Sequence, residues 1–132
     1  MKNKSTFFIK KNSTLPAIKY IVPQDILEKY DLTKDMFENC AVTFSMVKLE
    51  TGFFKIANKQ ADLIINREYE TMDDPEYIVQ YTPTTTDTND IGVFIGEFKI
   101  DFLGSNCGKI TLPAEGYLHV IVQDSITKTT VI

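Results

Sequence analysis

Histidine is the side chain on which most acid–base and nucleophilic catalysis depends, and this chain has only one, His119. A Ser-His-Asp or Cys-His arrangement would have to use it. It alternates with apolar neighbours in the strand-like run Leu118-His119-Val120-Ile121-Val122. The sequence also lacks a G-x-S-x-G elbow, a Gly-rich phosphate loop and an H-E-x-x-H motif. We interpret His119 as a surface or interface residue and predict no catalytic residues and no enzyme.

Two cysteines, Cys40 and Cys107, are the other residues able to bind a transition metal. Together with His119 they would supply three zinc ligands, but they lack the C-x-x-C spacing of structural zinc sites. Two cysteines also do not make a disulfide framework. We expect free thiols in a reducing cytoplasm, no metal site and no cofactor.

An acidic stretch offers hard oxygen ligands for a cation such as calcium, and it consists of Glu68, Glu70, Asp73, Asp74 and Glu76. It lacks the alternating Asp/Asn pattern with a central glycine that defines a calcium loop. We interpret it as a solvated connection. Three nearby aromatic residues, Tyr69, Tyr77 and Tyr81, would suit a sugar-stacking platform, but their more ordinary role is packing between sheets.

The elements that would hold these residues are predicted from hydrophobic alternation. In Gly92–Phe102 the even-numbered positions Phe94, Gly96, Phe98, Ile100 and Phe102 fall on one face, which we expect to face the core. Val93 and Ile95 fall on the opposite face with Glu97, Lys99 and Asp101. Cys40–Lys48 has the same pattern, with Val42, Phe44 and Met46 inward and Thr43 and Ser45 outward.

Shorter runs complete a chain made almost entirely of strands. They are Thr6–Lys10, Ala17–Val22, Phe53–Ile56, Ala61–Ile65, Tyr77–Thr82, Lys109–Leu112 and Leu118–Ile126. A turn at Asn58-Lys59 separates two of them. Helix is predicted only at Gln24–Tyr30 and near Leu32–Phe37, and Asp87 is expected to cap a turn at Asn89–Gly92. Frequent turns between short strands predict one domain over residues 1–132, an all-β antiparallel sandwich or barrel with one or two short helical turns.

Composition narrows the function classes. The chain has 132 residues, of which 43% are hydrophobic and 24% charged, and this argues against disorder. Its net charge of −4 disfavours binding to nucleic acid. The apolar stretches have the length of strands, so we expect neither an export signal nor a membrane segment.

The order of several short motifs is similar to that of one protein family. The opening Phe7-Phe8-Ile9-Lys10 is followed by Leu15-Pro16-Ala17-Ile18, Val42-Thr43-Phe44-Ser45-Met46 and Lys55-Ile56-Ala57-Asn58-Lys59-Gln60-Ala61. The second half has Tyr81-Thr82, Asp87-Thr88, Gly92, Gly96-Glu97-Phe98-Lys99-Ile100 and Thr111-Leu112-Pro113 before the last strand. In this order the chain resembles the N-terminal immunoglobulin-like domain of phage upper baseplate proteins.

The resemblance implies an immunoglobulin-like fold and a role in assembly. It predicts a structural protein of the virion, made in the host cytoplasm, that serves as an adaptor or decorating subunit in a tail, baseplate or connector. The implied partners are other virion proteins in a symmetric multi-copy assembly, with no nucleic acid and no membrane. A carbohydrate-binding or host-adhesion module is the alternative, because β-sandwiches serve both purposes.

Contact surfaces are expected at the two ends, Met1–Lys11 and Thr127–Ile132, and at the outward apolar residues of the long strand. The candidate interface residues are Phe7, Ile9, Val93, Ile95, Val131 and Ile132. For Val93 and Ile95 a second reading is open, burial beneath the segment Val22–Tyr30.

Overall fold

The computed structural model describes residues 3–66, 76–103 and 108–125. These residues form eight strands and two short helices. The strands are β1 (Thr6–Lys10), β2 (Ile18–Ile21), β3 (Cys40–Lys48), β4 (Phe54–Asn66), β5 (Glu76–Tyr81), β6 (Gly92–Phe102), β7 (Lys109–Leu112) and β8 (Leu118–Gln123), and the helices are α1 (Gln24–Lys29) and α2 (Lys34–Glu38). The all-β prediction is confirmed. Neither helix of the described chain has the length or apolar character needed to span a membrane.

The strands form one sheet that curves into a nearly closed barrel. Its order is β1-β8-β6-β3-β4-β5-β2, and β7 pairs with β6 beyond the end of β8. All pairs are antiparallel except β1 and β8, which are parallel. The long strand β4 joins the two sides of the barrel, because its first half pairs with β3 while Asp62–Asn66 pair with β5.

The core fills the inside of this curved sheet. As predicted, Phe94, Phe98, Ile100 and Phe102 of β6 are buried, as are Val42, Phe44 and Met46 of β3. Helix α2 covers one end, since the ring of Phe37 stacks on that of Tyr77 at a centroid distance of 4.0 Å and contacts the edge of Phe102 at 5.3 Å. The side chain of Thr33 caps this helix by accepting a hydrogen bond from the N–H of Met36.

The predicted turn at Asn58-Lys59 is wrong, because the chain continues through these residues as a single strand. The register between β3 and β4 shifts between Phe44 and Met46, which places a β-bulge there. Asn58 takes a left-handed backbone with φ of 50°, which asparagine tolerates better than most residues. Its N–H donates to the hydroxyl of Ser45 at 2.9 Å, and that hydroxyl donates to Oδ1 of Asn58 at 3.1 Å. This exchange explains why Ser45, predicted to face outward, is buried.

The predicted cap by Asp87 is also wrong. Its carboxylate faces the residues before it, and it accepts hydrogen bonds from the N–H of Thr84 at 2.9 Å and the hydroxyl of Tyr81 at 2.6 Å. The Nζ of Lys59 contacts its other oxygen at 3.1 Å. The carboxylate thereby fixes the connection between β5 and β6, two strands that are not neighbours in the sheet.

Candidate interaction face

Two of the expected contact residues lie in the core, so their assignment is corrected. Phe7 and Ile9 are 6% and 1% exposed. Alternation along β1 directs both side chains inward and Phe8, between them, outward. Phe8 is 56% exposed. Val131 and Ile132 lie outside the described residues.

Val93 and Ile95 do lie on the outer side of β6, as predicted. Val93 is 38% exposed and Ile95 is half-buried. Burial beneath the segment Val22–Tyr30 is excluded for both, because helix α1 packs near the opposite end of β6. There Ile26 lines a hollow together with Phe102 and Leu112.

Strand register extends this apolar surface across five strands. Ile95 lies opposite Val47 of β3, which lies opposite Phe54 of β4. Two residues earlier on β6, Val93 lies opposite Ile121 of β8, and Ile121 lies opposite Phe8 of β1. Side chains directly opposite one another on one face of a sheet lie about 5 Å apart at Cβ. We call these six residues the outer apolar face, which comprises Phe8, Val47, Phe54, Val93, Ile95 and Ile121.

Further exposed apolar side chains border the outer apolar face. Phe54 itself is 67% exposed, and its neighbour Phe53 is 76% exposed. Tyr117 lines a hollow of about 160 Å³ together with Phe54 and Ile95. Exposed contiguous apolar surface of this kind marks interaction sites in folded proteins.

His119 lies within this face rather than in a catalytic arrangement. Its register partners are Ile95 on β6 and Thr6 on β1, and its side chain is exposed. Neither partner supplies the carboxylate that orients a catalytic histidine.

The other residues considered for chemistry have structural positions. Tyr77 and Tyr81 are each 5% exposed, so they pack in the core and do not form the sugar-stacking platform. The free thiol of Cys40 donates to the carbonyl of Phe37, and burial raises its pKa. Across the described ranges no three His, Cys, Asp or Glu side chains come together as metal ligands. Cys107, Tyr69 and the acidic stretch other than Glu76 lie outside those ranges.

Asp87, which the sequence predicts to cap a turn, is instead a buried charged residue. Its side chain is 2% exposed. Burial opposes its ionisation, but the hydrogen bonds from the N–H of Thr84, from Tyr81 and from Lys59 together lower its pKa. The pKa of Tyr81 is raised, first by burial and then by its hydrogen bond to Asp87. Because the carboxylate is enclosed by protein donors, it is a structural group rather than a substrate contact.

Comparison of the chain with family models, with curated proteins and with solved structures found no significant match.

Proposed function

We propose that this chain is a structural protein of a phage virion, an immunoglobulin-like adaptor or decorating subunit of a tail, baseplate or connector. It acts by binding neighbouring subunits through the outer apolar face. Those neighbours are other virion proteins in a symmetric multi-copy assembly. The chain performs no catalysis, and its binding uses no cofactor. The phage assignment rests on the sequence resemblance, and the outer apolar face supports the proposed role in assembly.

The single observation that carries the proposal is the continuity of the outer apolar face. Five adjacent strands spaced about 4.8 Å apart give it an extent of about 20 Å measured along the curved sheet. Phe8 and Phe54, at its two ends, are 56% and 67% exposed. A stable interface buries about 800 Å² on each partner, with apolar and aromatic residues at its centre and polar residues at its rim. The face and its apolar border supply such a centre.

Charged side chains that follow the apolar residues on the outer side of β6 support the same reading. Glu97 lies one step further along the outer side of β6, beside the hollow near Tyr117. A charged rim around an apolar centre gives an interface its orientation more than its affinity.

The experiment compares the wild-type chain with an Ile95→Asp variant. A carboxylate at the centre of the face would lose its hydration on assembly, and His119 opposite it would replace only part of that hydration, so association should weaken by at least about tenfold. Lys99→Asp is the matched control, since Lys99 is an exposed residue on the same side of the same strand, away from the apolar rows. Sedimentation measures association, and labelling with an antibody to this chain in electron micrographs tests its place in particles.

Two results would refute the proposal. If Ile95→Asp assembles as the wild type does, the outer apolar face is not the interface. If Ile95→Asp unfolds the isolated chain in a thermal melt, Ile95 belongs to the core. A separate variant, Phe54→Asp, protects the test, because a residue that is 67% exposed can change without loss of core packing.

A further inference from the structure

Among the residues that the structure describes, the two edge strands of the sheet, β1 and β2, each pair with a strand on one side only. On β1 the carbonyl of Ser5 accepts from the N–H of His119 at 2.7 Å, and the N–H of Lys11 donates to the carbonyl of Gln123 at 2.7 Å. Backbone groups alternate in direction along a strand. The odd-numbered residues therefore face β8, and the N–H and C=O groups of Thr6 and Phe8 and the N–H of Lys10 face the open side. The carbonyl of Lys10 already accepts from the N–H of Ser13 at 3.0 Å.

On β2 the same alternation leaves Lys19 and Ile21 facing away from β5. Val22, one residue on, donates its N–H to the carbonyl of Tyr77 at 2.9 Å. The side-chain amide of Asn3 already occupies the open side of Ile21. Its Oδ1 accepts from the N–H of Ile21 at 2.7 Å and its Nδ2 donates to the carbonyl of Ile21 at 2.8 Å. Asn3 thus makes the paired contacts that a residue of an added strand would make.

A groove of about 1010 Å³ lies between these two open edges. Its apolar lining includes Phe8, Leu15 and Ile21. Leu15 is 68% exposed, so it offers apolar surface to a partner at one wall of the groove. Within the described chain, β1 and β2 do not pair with each other across the groove.

The charge of the groove indicates what covers it. Its charged lining residues are both basic, Lys4 and Lys19. Lys10 is exposed on the neighbouring strand β1. An acidic segment would complement this charge.

We propose that this groove accepts an extended segment of a neighbouring subunit, in which acidic residues alternate with apolar ones. The segment adds as a strand at the open edges, pairing with the backbone of β1 or β2 or bridging both. Its apolar side chains contact Phe8, Leu15 and Ile21, and its acidic side chains lie near Lys4 and Lys19. The inference rests on the proposed assembly role because the donor is another subunit, but it adds a second contact of different chemistry. Main-chain pairing of this kind supplies affinity, and alternate side chains supply specificity.

The test uses the full chain and a synthetic seven-residue peptide of alternating valine and glutamate, with blocked ends. We expect saturable binding by fluorescence anisotropy and slowed amide exchange at Thr6, Phe8, Lys10 or Lys19. A peptide with lysine in place of glutamate should bind at least about tenfold more weakly. The same peptide with N-methylated valines should not bind, because it cannot pair through its main chain.

Charge reversal in the groove provides the matched pair of variants. Lys19→Glu should weaken binding of the acidic peptide by about tenfold, while Lys99→Glu should leave it unchanged. The inference is overturned if the lysine peptide binds equally well, or if none of the four amides gains protection. It is also overturned if those amides are already protected in the free chain. Concentration-independent protection would then identify a segment of the same chain as the occupant, and concentration-dependent protection a second copy.

Failure here is distinguishable from failure of the proposed function. Ile95→Asp lies outside the groove, so it should weaken assembly through the outer apolar face while peptide binding persists. If the peptide does not bind but Ile95→Asp still weakens assembly, only the proposal about the groove is wrong.

Discussion

Gly96 permits the closest approach in the core, and replacing it by alanine should destabilise the fold. A Cβ at this position would lie 2.7 Å from Cζ and 3.1 Å from Cε1 of Phe44, and 3.3 Å from the carbonyl of Ser45. The ring of Phe44 cannot easily move, because it is fully buried and lies 5.0 Å from that of Tyr81 and 4.8 Å from that of Phe98.

The magnitude follows from two opposing effects. Overpacking a core costs about 1–3 kcal/mol. The lower chain entropy of alanine in the unfolded state returns about 0.4–1 kcal/mol. We expect Gly96→Ala to lower the free energy of unfolding by a net amount of about 1–2 kcal/mol. For a chain of this length that corresponds to a fall in Tm of about 4–7 °C.

Thermal unfolding followed by circular dichroism measures the effect, and two variants control it. Gly108→Ala should be nearly neutral, because nothing lies within 4 Å of a Cβ at that position. In a Phe44→Leu background the clash is relieved, so the added methyl should cost much less than in the wild type. An equal loss in both backgrounds would refute the steric argument. Because Gly96→Ala changes the inner side of β6, binding through the outer apolar face should persist at temperatures where the variant is folded.

Two further predictions concern buried polar groups. Asp87→Asn should destabilise the chain by about 2 kcal/mol in urea unfolding, because the amide lacks the charge that attracts Lys59 and is a weaker acceptor for the hydrogen bonds from Tyr81 and Thr84. Because the pKa of Asp87 is lowered in the folded state, its contribution to stability is present above its unfolded pKa of about 3.9 and is lost as pH falls through the lower folded value. The free energy of unfolding of the Asn variant should therefore vary less with pH on the acid side. An unchanged pH dependence would contradict this. Tyr81 has a raised pKa, so its contribution is present below its unfolded pKa of about 10 and is lost as pH rises through the folded value; Tyr81→Phe should flatten the alkaline side. At the bulge, Asn58→Ala should lower the free energy of unfolding by about 1–2 kcal/mol and Asn58→Gly by less, because only glycine keeps the left-handed backbone without strain. Equal losses in the two variants would exclude the backbone as the cause.

Strict alternation made most strands predictable from the sequence. The boundaries of β3 and β6 agree with the expected ones, because their apolar side chains recur at every second residue. The same rule failed at Asn58-Lys59, where a polar pair typical of a turn instead forms a bulge. The stabilising contact there comes from Ser45 on another strand, and no local pattern reveals it.

The interaction face was predictable only in part. Val93 and Ile95 were assigned to the outer side because β6 alternates strictly. Phe7-Phe8-Ile9 is a continuous apolar run, so periodicity does not say which side faces the core. Phe54 and Ile121 join the face through register with strands distant in sequence, which a single sequence does not specify.

The parallel pairing of β1 with β8 has a consequence for how the molecule is made. Thr6–Lys10 acquire their partner only when His119–Gln123 have left the ribosome. Until then, two apolar phenylalanine rings and both backbone edges of β1 are unprotected. Contacts between such distant parts of a chain form slowly. During translation, β1 would therefore benefit from a chaperone or from another chain that covers it.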